Sequence, residues 1–532
     1  MPKQGGPAAA AGAIRPVPNL PRIPGLLPTA VALLLTAAAS AQLAVPAVEG
    51  PPGGAWLRHG EQLLDHEDPQ RALVAFRTAA LQGAQPVEAK LGLGRSHLML
   101  GQSSFALAYA TAALLAQPSH QDAMALCIRA LIRTREFDAA VQRGSNFLLR
   151  TPEPSSELLA ARGSAFFRVQ RIEDAATAYQ RVVALDPLHA EAHLRLGSGL
   201  LPPTRVQLGA ELHAAAAALA ASNREAAIAA LRAVLAKSPR HPIAHRLLGE
   251  TLFAERTAAG MAVNDGAYAA LTAAIGRPDV GGMPIDEFVP GYARLSPARA
   301  AVVDRTMAMW RRYLSKLLAV GGRHDLLGEL ERTTDAEARS NLRGQRTFDG
   351  RVWDDVRGVG GPQAATGIEA LDDAATFGFD TFAHEVAHQV HYYAFTRAQR
   401  TRLRALYQQA LAEGRCLDFY AASNEAEYFG QGVEAFACLG KRPGGETTHG
   451  HTRFELLAVD PELHAFLVGA VDCDPLATPG RREVVLEAAV AVALRCGRPR
   501  DAVVAAGLLS PGPLRERLLA DAEQALAAAR CH

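Results

Sequence analysis

The sequence predicts a mostly α-helical protein in two parts: a helical-repeat solenoid, then an α+β domain with a small sheet and one helix that carries chemistry. Three observations predict it. Alanine is abundant and clusters at helical spacing, which favours helix along much of the chain. From about residue 55 to residue 256 a pattern of small, apolar and proline positions returns with a period near 34. Beyond it glycine and proline become more frequent, β-branched stretches appear, and the chain carries the run "TFAHEVAHQVHYY", residues 381–393.

The whole chain bounds the problem first. Its 532 residues suit two to four domains. Charge is balanced at +1 and no basic tail is present, so nucleic-acid binding is excluded as the expected class. Residues 1–41 read as a signal peptide. Lys3, Arg15 and Arg22 precede the apolar run "GLLPTAVALLLTAAA", and "ASAQ" places a small-x-small cleavage site after Ala41. The apolar run is short for a membrane span, so export to the periplasm or full secretion is expected, with membrane anchoring by an uncleaved leader as the alternative. No other segment reads as a membrane span. Residues 42–54 read as a linker. Six cysteines follow, none in C-x-x-C, and in an exported protein the last four are the candidates for pairing.

The repeats are read from fixed offsets. Gly60, Ala72 and Phe76 mark the first unit, Gly94, Ala106 and Pro118 the second, and Ala140 and Pro152 the third. The fourth is the fullest, with Gly163, Ala175, Tyr179 and Pro187. A fifth reads as interrupted by an Ala-rich insertion around 200–220 before resuming at Ala227, Leu231 and Pro239, and Gly249 belongs to a last helix. Small residues let two helices approach closely, the large residue fills the gap, and proline ends the second helix. These positions match the tetratricopeptide repeat, and the expected array spans residues 55–256. One such unit cannot bury its apolar face alone, but a stack can, and its concave face usually holds a protein or peptide.

Residues 257–475 read as the α+β domain. "SPARAAVVDRTMAMWRRYLSKLLAVGG" reads as one or two helices, and "TFDGRVWDDVRGVGGPQAATGIEAL" as short strands and turns. In the helix that follows, His384, Glu385 and His388 form H-E-x-x-H. Histidines four apart lie on one helix face and can chelate zinc, with the glutamate over a bound water. A catalytic zinc needs a third protein ligand. The metzincin position, six residues after His388, is Ala394. The stretch "YAASNEAEYFGQGVEAFAC" reads instead as a helix capped near Asn424, with Glu427 and Glu434 on one face and Glu425 on another. Strand before helix suits a zincin, in which a small sheet lines the substrate cleft. Residues 476–532 read as an Ala-rich helical extension without chemistry.

Together, "HEVAH" and "YAASNEAEYFGQGVEAF" resemble the anthrax lethal factor-like zinc metalloprotease family, over roughly residues 340–440. That family has a tyrosine seven residues before its zinc-binding glutamate, in Y-x-x-x-N-E-A-E-F-F. The resemblance implies His384, His388 and Glu427 as ligands of one catalytic Zn2+, Glu385 as general base, and Tyr420 as the hydroxyl that stabilises the transition state. It departs at Gln431, where an acid is expected; Glu434 is the fallback ligand and the residue expected to take over that acid's role. His391 reads as a satisfied neighbour. The function expected is an exported zinc metalloendopeptidase whose array recruits a protein substrate or partner. The alternative is a repeat-based binding scaffold with an idle zinc-containing domain.

Overall fold

Helix boundaries follow local chemistry. Asp68 accepts a hydrogen bond from the Arg71 amide and Pro69 opens the first turn, as Ser155 does for Leu158 N and Asn223 for Ala226 N. Three histidines act as caps in the same way: His120, His189 and His241 accept from the amides of Ala123, Ala192 and Ala244 through Nδ1. The computed structural model describes residues 53–66, 68–202, 209–443, 451–478 and 480–530. The leader and its cleavage position after Ala41, and Cys531, lie outside them. No helix among the described residues is long and apolar enough to cross a membrane.

Four helix pairs come first: α1 (Gly54–Asp65) with α2 (Pro69–Leu81), α3 (Pro86–Met99) with α4 (Ser103–Ala116), α5 (Gln121–Arg133) with α6 (Phe137–Leu148), and α7 (Ser156–Arg168) with α8 (Ile172–Leu185). The repeat positions do what their chemistry requires. Ala72, Ala106, Ala140, Ala175 and Ala227 are completely buried, as are Phe76, Tyr179 and Leu231. A Cβ on Gly60 would stand 2.7 Å from the Phe76 ring, and one on Gly163 would stand 3.0 Å from Tyr179, so each glycine admits the large residue of its own unit.

The structure corrects the reading of the fifth unit. After α9 (Ala190–Arg195) and a wide turn at Leu196–Leu200 come α10 (Gly209–Ala220), α11 (Arg224–Lys237) and α12 (Pro242–Val263). Helix α10 pairs with α11 and is the first helix of the unit that carries Ala227 and Leu231, not an insertion. Its small position is Ala215, fully buried, in the place glycine holds elsewhere. The added piece is α9 itself. It packs on α12, where a Cβ on Gly197 would strike Arg246 and one on Gly249 would stand 2.6 Å from Leu194 N.

The second half begins with α13 (Asp265–Ile275), α14 (Ile285–Phe288), α15 (Pro297–Met309) and α16 (Arg311–Ala319). The stretch read as one or two helices is two, broken at Trp310, which is completely buried at the centre of the largest core. Strands β1 (Arg323–Leu327), β2 (Gly358–Val359) and β3 (Gln363–Gly367) form a sheet in the order β1-β3-β2, with β1 parallel and β2 antiparallel to β3. Then follow α17 (Glu369–Ala375), α18 (Thr381–Gln389), α19 (Arg397–Glu413), α20 (Glu425–Ala437), α21 (Arg453–Val459), α22 (Pro461–Ala470), α23 (Arg481–Arg495), α24 (Pro499–Gly507) and α25 (Pro513–Arg530). Tyr268 and Leu271 of α13 share one core with Val485, Leu486, Ala489 and Ala502, so the C-terminal helices pack on the segment that follows the array.

The five described cysteines, Cys127, Cys416, Cys438, Cys473 and Cys496, are unpaired thiols, so the pairing expected late in the chain is absent among the described residues. The physical reason is placement. Cys416 is buried in the loop after α19, the Cys438 thiol at the end of α20 donates to Glu434 at 3.5 Å, and Cys496 at the end of α23 lies 2.9 Å from the Tyr268 hydroxyl.

Array and second half touch along several lines. The Val352 amide donates to Gly199 O at 2.8 Å, and Arg246 of α12 lies 3.9 Å from Glu369 Oε1. Phe137 meets Phe419 edge to face at 5.7 Å. Repeat packing predicts that Gly60→Ala destabilises the chain by about 1–3 kcal/mol through overpacking against Phe76. Gly469→Ala, in a helix with open space around it, should be neutral or slightly stabilising. Urea unfolding followed by circular dichroism checks the pair, and equal midpoints for both variants would contradict the packing account.

Candidate metal centre

Helix α18 starts where Asp380 accepts from the Ala383 amide at 2.9 Å. Its far end is tied to the sheet by Gln389, whose side-chain amide donates to Arg323 O at 3.1 Å and Pro362 O at 3.2 Å. Gln389 Oε1 also lies 3.0 Å from His324 Nδ1, and His324 Nε2 lies 2.9 Å from Thr366 Oγ1. Burial pushes His324 down to about 4, so it is a neutral strut at pH 7. Both ends of the helix that carries H-E-x-x-H are thus fixed by buried hydrogen bonds.

Helix α20 starts at Asn424, whose Oδ1 accepts from the Glu427 amide at 3.0 Å. The cap therefore orients Glu427 itself. The two helices cross at Gly430, where a Cβ would stand 2.6 Å from His384 Cε1 and 2.9 Å from His388 Cε1. Only glycine lets α20 come this near both imidazoles.

The crossing brings three of the residues singled out from the sequence together. His384 Nε2 and His388 Nε2 are 3.0 Å apart, and Glu427 Oε2 lies 3.1 Å from the first and 3.6 Å from the second. All three donor atoms fall within 4.8 Å of one another, the only such His/Cys/Asp/Glu group among the described residues. Two imidazole nitrogens and a carboxylate oxygen in this spacing match the donor set of a tetrahedral zinc site with one place open. Glu427 is held well below the usual carboxylate range: burial alone would raise it, but hydrogen bonds from His384 and His388 and their charge prevail. The Nδ1 atoms of both histidines are buried without a hydrogen-bond partner among the described residues.

Glu385 lies beside this group and its carboxyl is pushed up to about 7, first by burial, with the charge of His388 opposing and that of Glu427 adding. Gly358 lies in β2, and a Cβ there would stand 2.7 Å from Glu385 Oε1. Tyr420 sits in the loop before α20. Its hydroxyl is held protonated by burial and by the charge of Glu427, with Arg351 opposing. Phe348 packs 5.9 Å from its ring.

Glu434 is neither a ligand nor a neighbour of the ligands. Completely buried, it accepts from the Asp380 amide at 3.1 Å and from Lys441 Nζ, and so braces the start of α18. Seven residues set Glu434 on the same face of α20 as Glu427 but two turns farther along, beyond the crossing. His391 is satisfied at one nitrogen only: its Nε2 is 3.1 Å from Glu425 Oε1, while its Nδ1 is buried without a hydrogen-bond partner among the described residues. The residues sequence reasoning passed over are Gly358, Gly430, Gln389 and Arg351. Of these only the glycines carry a local signal, since glycine inside a helix or strand marks a close approach.

The tetratricopeptide-repeat family model matches residues 57–104, 160–200 and 212–275. The helical array is built of tetratricopeptide repeats. The third match begins inside α10, in keeping with the corrected fifth unit. Among solved structures, the chain is similar to a thermophilic tetratricopeptide-repeat protein of Thermus thermophilus, at 18% identity over 38% of this chain and 99% of that one, with a TM-score of 0.27. It is also similar to MamA of Desulfovibrio magneticus, at 20% identity over 28% and 83%, TM-score 0.23. A third is YrrB, described as a tetratricopeptide-repeat protein with an unusual peptide-binding site, at 17% identity over 36% and 89%, TM-score 0.21. No curated protein matches the chain.

The Tyr420 loop is anchored by a titratable contact. His451 lies 3.3 Å from Asp418 Oδ2 and 3.1 Å from Glu455 Oε2. Burial alone would lower it, but the charge of Glu455 and the hydrogen bonds to Asp418 and Glu455 push it up to about 10. The folded value exceeds the unfolded one of ~6.5, so this contribution is complete below that pH and is lost as pH rises through about 10. Wild-type stability, measured by urea unfolding, should therefore fall between neutral pH and pH 10 more steeply than that of His451→Gln. Parallel profiles would contradict the assignment.

Proposed function

We propose that the chain is an exported zinc-dependent metalloendopeptidase that hydrolyses peptide bonds of a protein substrate, with the repeat array engaging the substrate or a partner. One observation carries the reading: His384, His388 and Glu427 converge within 4.8 Å beside the buried Glu385. The H-E-x-x-H and N-E-A-E motifs support it independently, through their resemblance to the lethal factor-like metalloproteases.

On this reading His384, His388 and Glu427 hold the zinc. Bound there, the ion would acidify a coordinated water and polarise the scissile carbonyl. Glu385 is the proton carrier. A carboxyl near 7 takes the proton of the attacking water and hands it to the departing amine, both at neutral pH. Tyr420, protonated at all ordinary pH values, donates a hydrogen bond to the carbonyl oxygen as charge develops on it. Strand β2 is an edge of the sheet, beside Glu385, where an extended peptide can add as a further strand. The array, as a tetratricopeptide-repeat fold, supplies a surface of the kind that binds protein or peptide partners. Export rests on the leader sequence, and N-terminal sequencing of the mature chain tests cleavage after Ala41.

A second reading is a protein-binding scaffold with a zinc-containing but idle domain. The observation that favours it is the pair of imidazole Nδ1 atoms lacking the outer hydrogen bonds that usually orient zinc ligands. Activity separates the two. Glu385→Gln is expected to reduce cleavage of a casein or peptide-library substrate by about 100-fold or more while zinc content stays at one per chain. His384→Ala is expected to lose the zinc. Cleavage that persists in Glu385→Gln sinks the peptidase reading, and zinc without cleavage in the wild type selects the scaffold.

A further inference from the structure

Three arginines meet where the array touches the Tyr420 loop. Arg168, at the end of α7, lies 4.6 Å over the Phe419 ring and 5.5 Å over the Phe167 ring. Arg195, at the end of α9, lies 5.6 Å over the same Phe167 ring. Four residues on, Gly199 takes the left-handed backbone at φ 88° and the position of its missing Cβ is 3.1 Å from Arg351 Cβ. Arg351 belongs to the hairpin whose Phe348 packs on Tyr420, and its charge acts on both Tyr420 and Glu427.

These charges are poorly matched by carboxylates. Among the described residues, neither Arg168 nor Arg195 has a carboxylate within ion-pair distance, and both are half-buried. Asp349 binds only the Nε edge of Arg351, at 2.9 and 3.1 Å, so the two Nη groups on its partly exposed side chain carry no hydrogen bond to the described residues. The acids whose charge reaches Arg168 and Arg195 are engaged elsewhere: Asp418 with the Ala421 amide and His451, and Glu191 with Arg129, Ser164 and Tyr179. Burial, then the charges of Arg195 and Arg351, push Arg168 down to about 10, with Tyr179 and Asp418 opposing.

We propose that Arg168, Arg195 and Arg351 form a carboxylate-binding subsite beside Tyr420, so that the peptide substrate is acidic close to the bond cleaved. The proposal rests on the peptidase reading for the place of the bond, not for the binding itself. Guanidinium forks suit carboxylates, which they bind in bidentate fashion. Two of the three arginines come from the array, so on this account the array supplies part of the substrate cleft itself.

The test measures binding of fluorescein-labelled twelve-residue peptides of Ala, Gly and Glu, with both ends capped, against the same peptides with Gln for Glu. The zinc-loaded full-length Glu385→Gln chain is used so that nothing is consumed. The Glu peptide is expected to bind at least about 10-fold more tightly, with the advantage shrinking as salt rises. In Arg168→Gln/Arg195→Gln the advantage should fall below about twofold while Gln-peptide affinity stays unchanged, which a merely structural role would not produce. Arg195→Gln alone, at a half-exposed helical position, is the variant to use if the double substitution does not fold, and a drop of at least about threefold is expected there. Equal binding of the two peptides overturns the proposal, as does an advantage that survives these substitutions. A Gln peptide that gains the same affinity only with a free C-terminus assigns the subsite to the terminal carboxylate rather than to side chains. Acidic preference without cleavage in the wild type fails the peptidase reading alone, and cleavage without preference fails the subsite alone.

Discussion

The structure of the second half depends on one close approach, that of α20 to α18 at Gly430. Two helices with ordinary side chains at their crossing pack with axes about 8–10 Å apart. Here the missing Cβ lets the backbone of α20 lie against the two imidazole rings, so that a carboxylate three residues earlier reaches both Nε2 atoms. The rest serves to hold that crossing. Glu434 and Lys441 brace one end of α18, Gln389 and His324 fasten the other to the sheet, and Trp310 fills the space behind. Buried ionic pairs such as Glu434–Lys441 cost desolvation and rarely add much stability, so their value lies in fixing one arrangement of the site.

The array is not a separate module on a string. Its added helix, α9, ends in the turn at Gly199, which receives the Val352 amide and so fixes the hairpin bearing Phe348 and Arg351. The α7–α8 corner adds a contact of its own, from Gln170 to Phe348 O at 3.4 Å. Hairpin and array are therefore one packed surface. A change in the array at Phe167 or Gly199 is transmitted to Tyr420 through contact.

What is legible in the sequence is what depends on local spacing. The i, i+4 histidines, the Asn424 cap that sets Glu427, and the Gly–Ala–aromatic offsets of the repeats all depend on residues within one or two helices of each other, and all stand where spacing puts them. The first helix of the fifth unit is obscured because its small residue, Ala215, is one alanine in a run of them. Strand β1, "RHDLL", does not alternate cleanly, since its buried His324 is polar and its exposed end is charged, so nothing in its pattern announces a strand. The role of Glu434 is misread because helical periodicity gives a face but not the length of the partner helix it meets. Arg351 carries no signal at all: its place beside Tyr420 arises from contacts with Gly199, about 150 residues away in sequence.

The account stands or falls on whether the three converging donors hold a metal. X-ray absorption at the zinc edge, on full-length protein purified without added metal and then loaded with one equivalent of zinc, tests this most directly. The account predicts a four-coordinate ion with two imidazole nitrogens and light oxygen neighbours at about 2.0–2.1 Å, and no sulfur near 2.3 Å. Sulfur ligation, or a spectrum unchanged by removing Glu427, would contradict it.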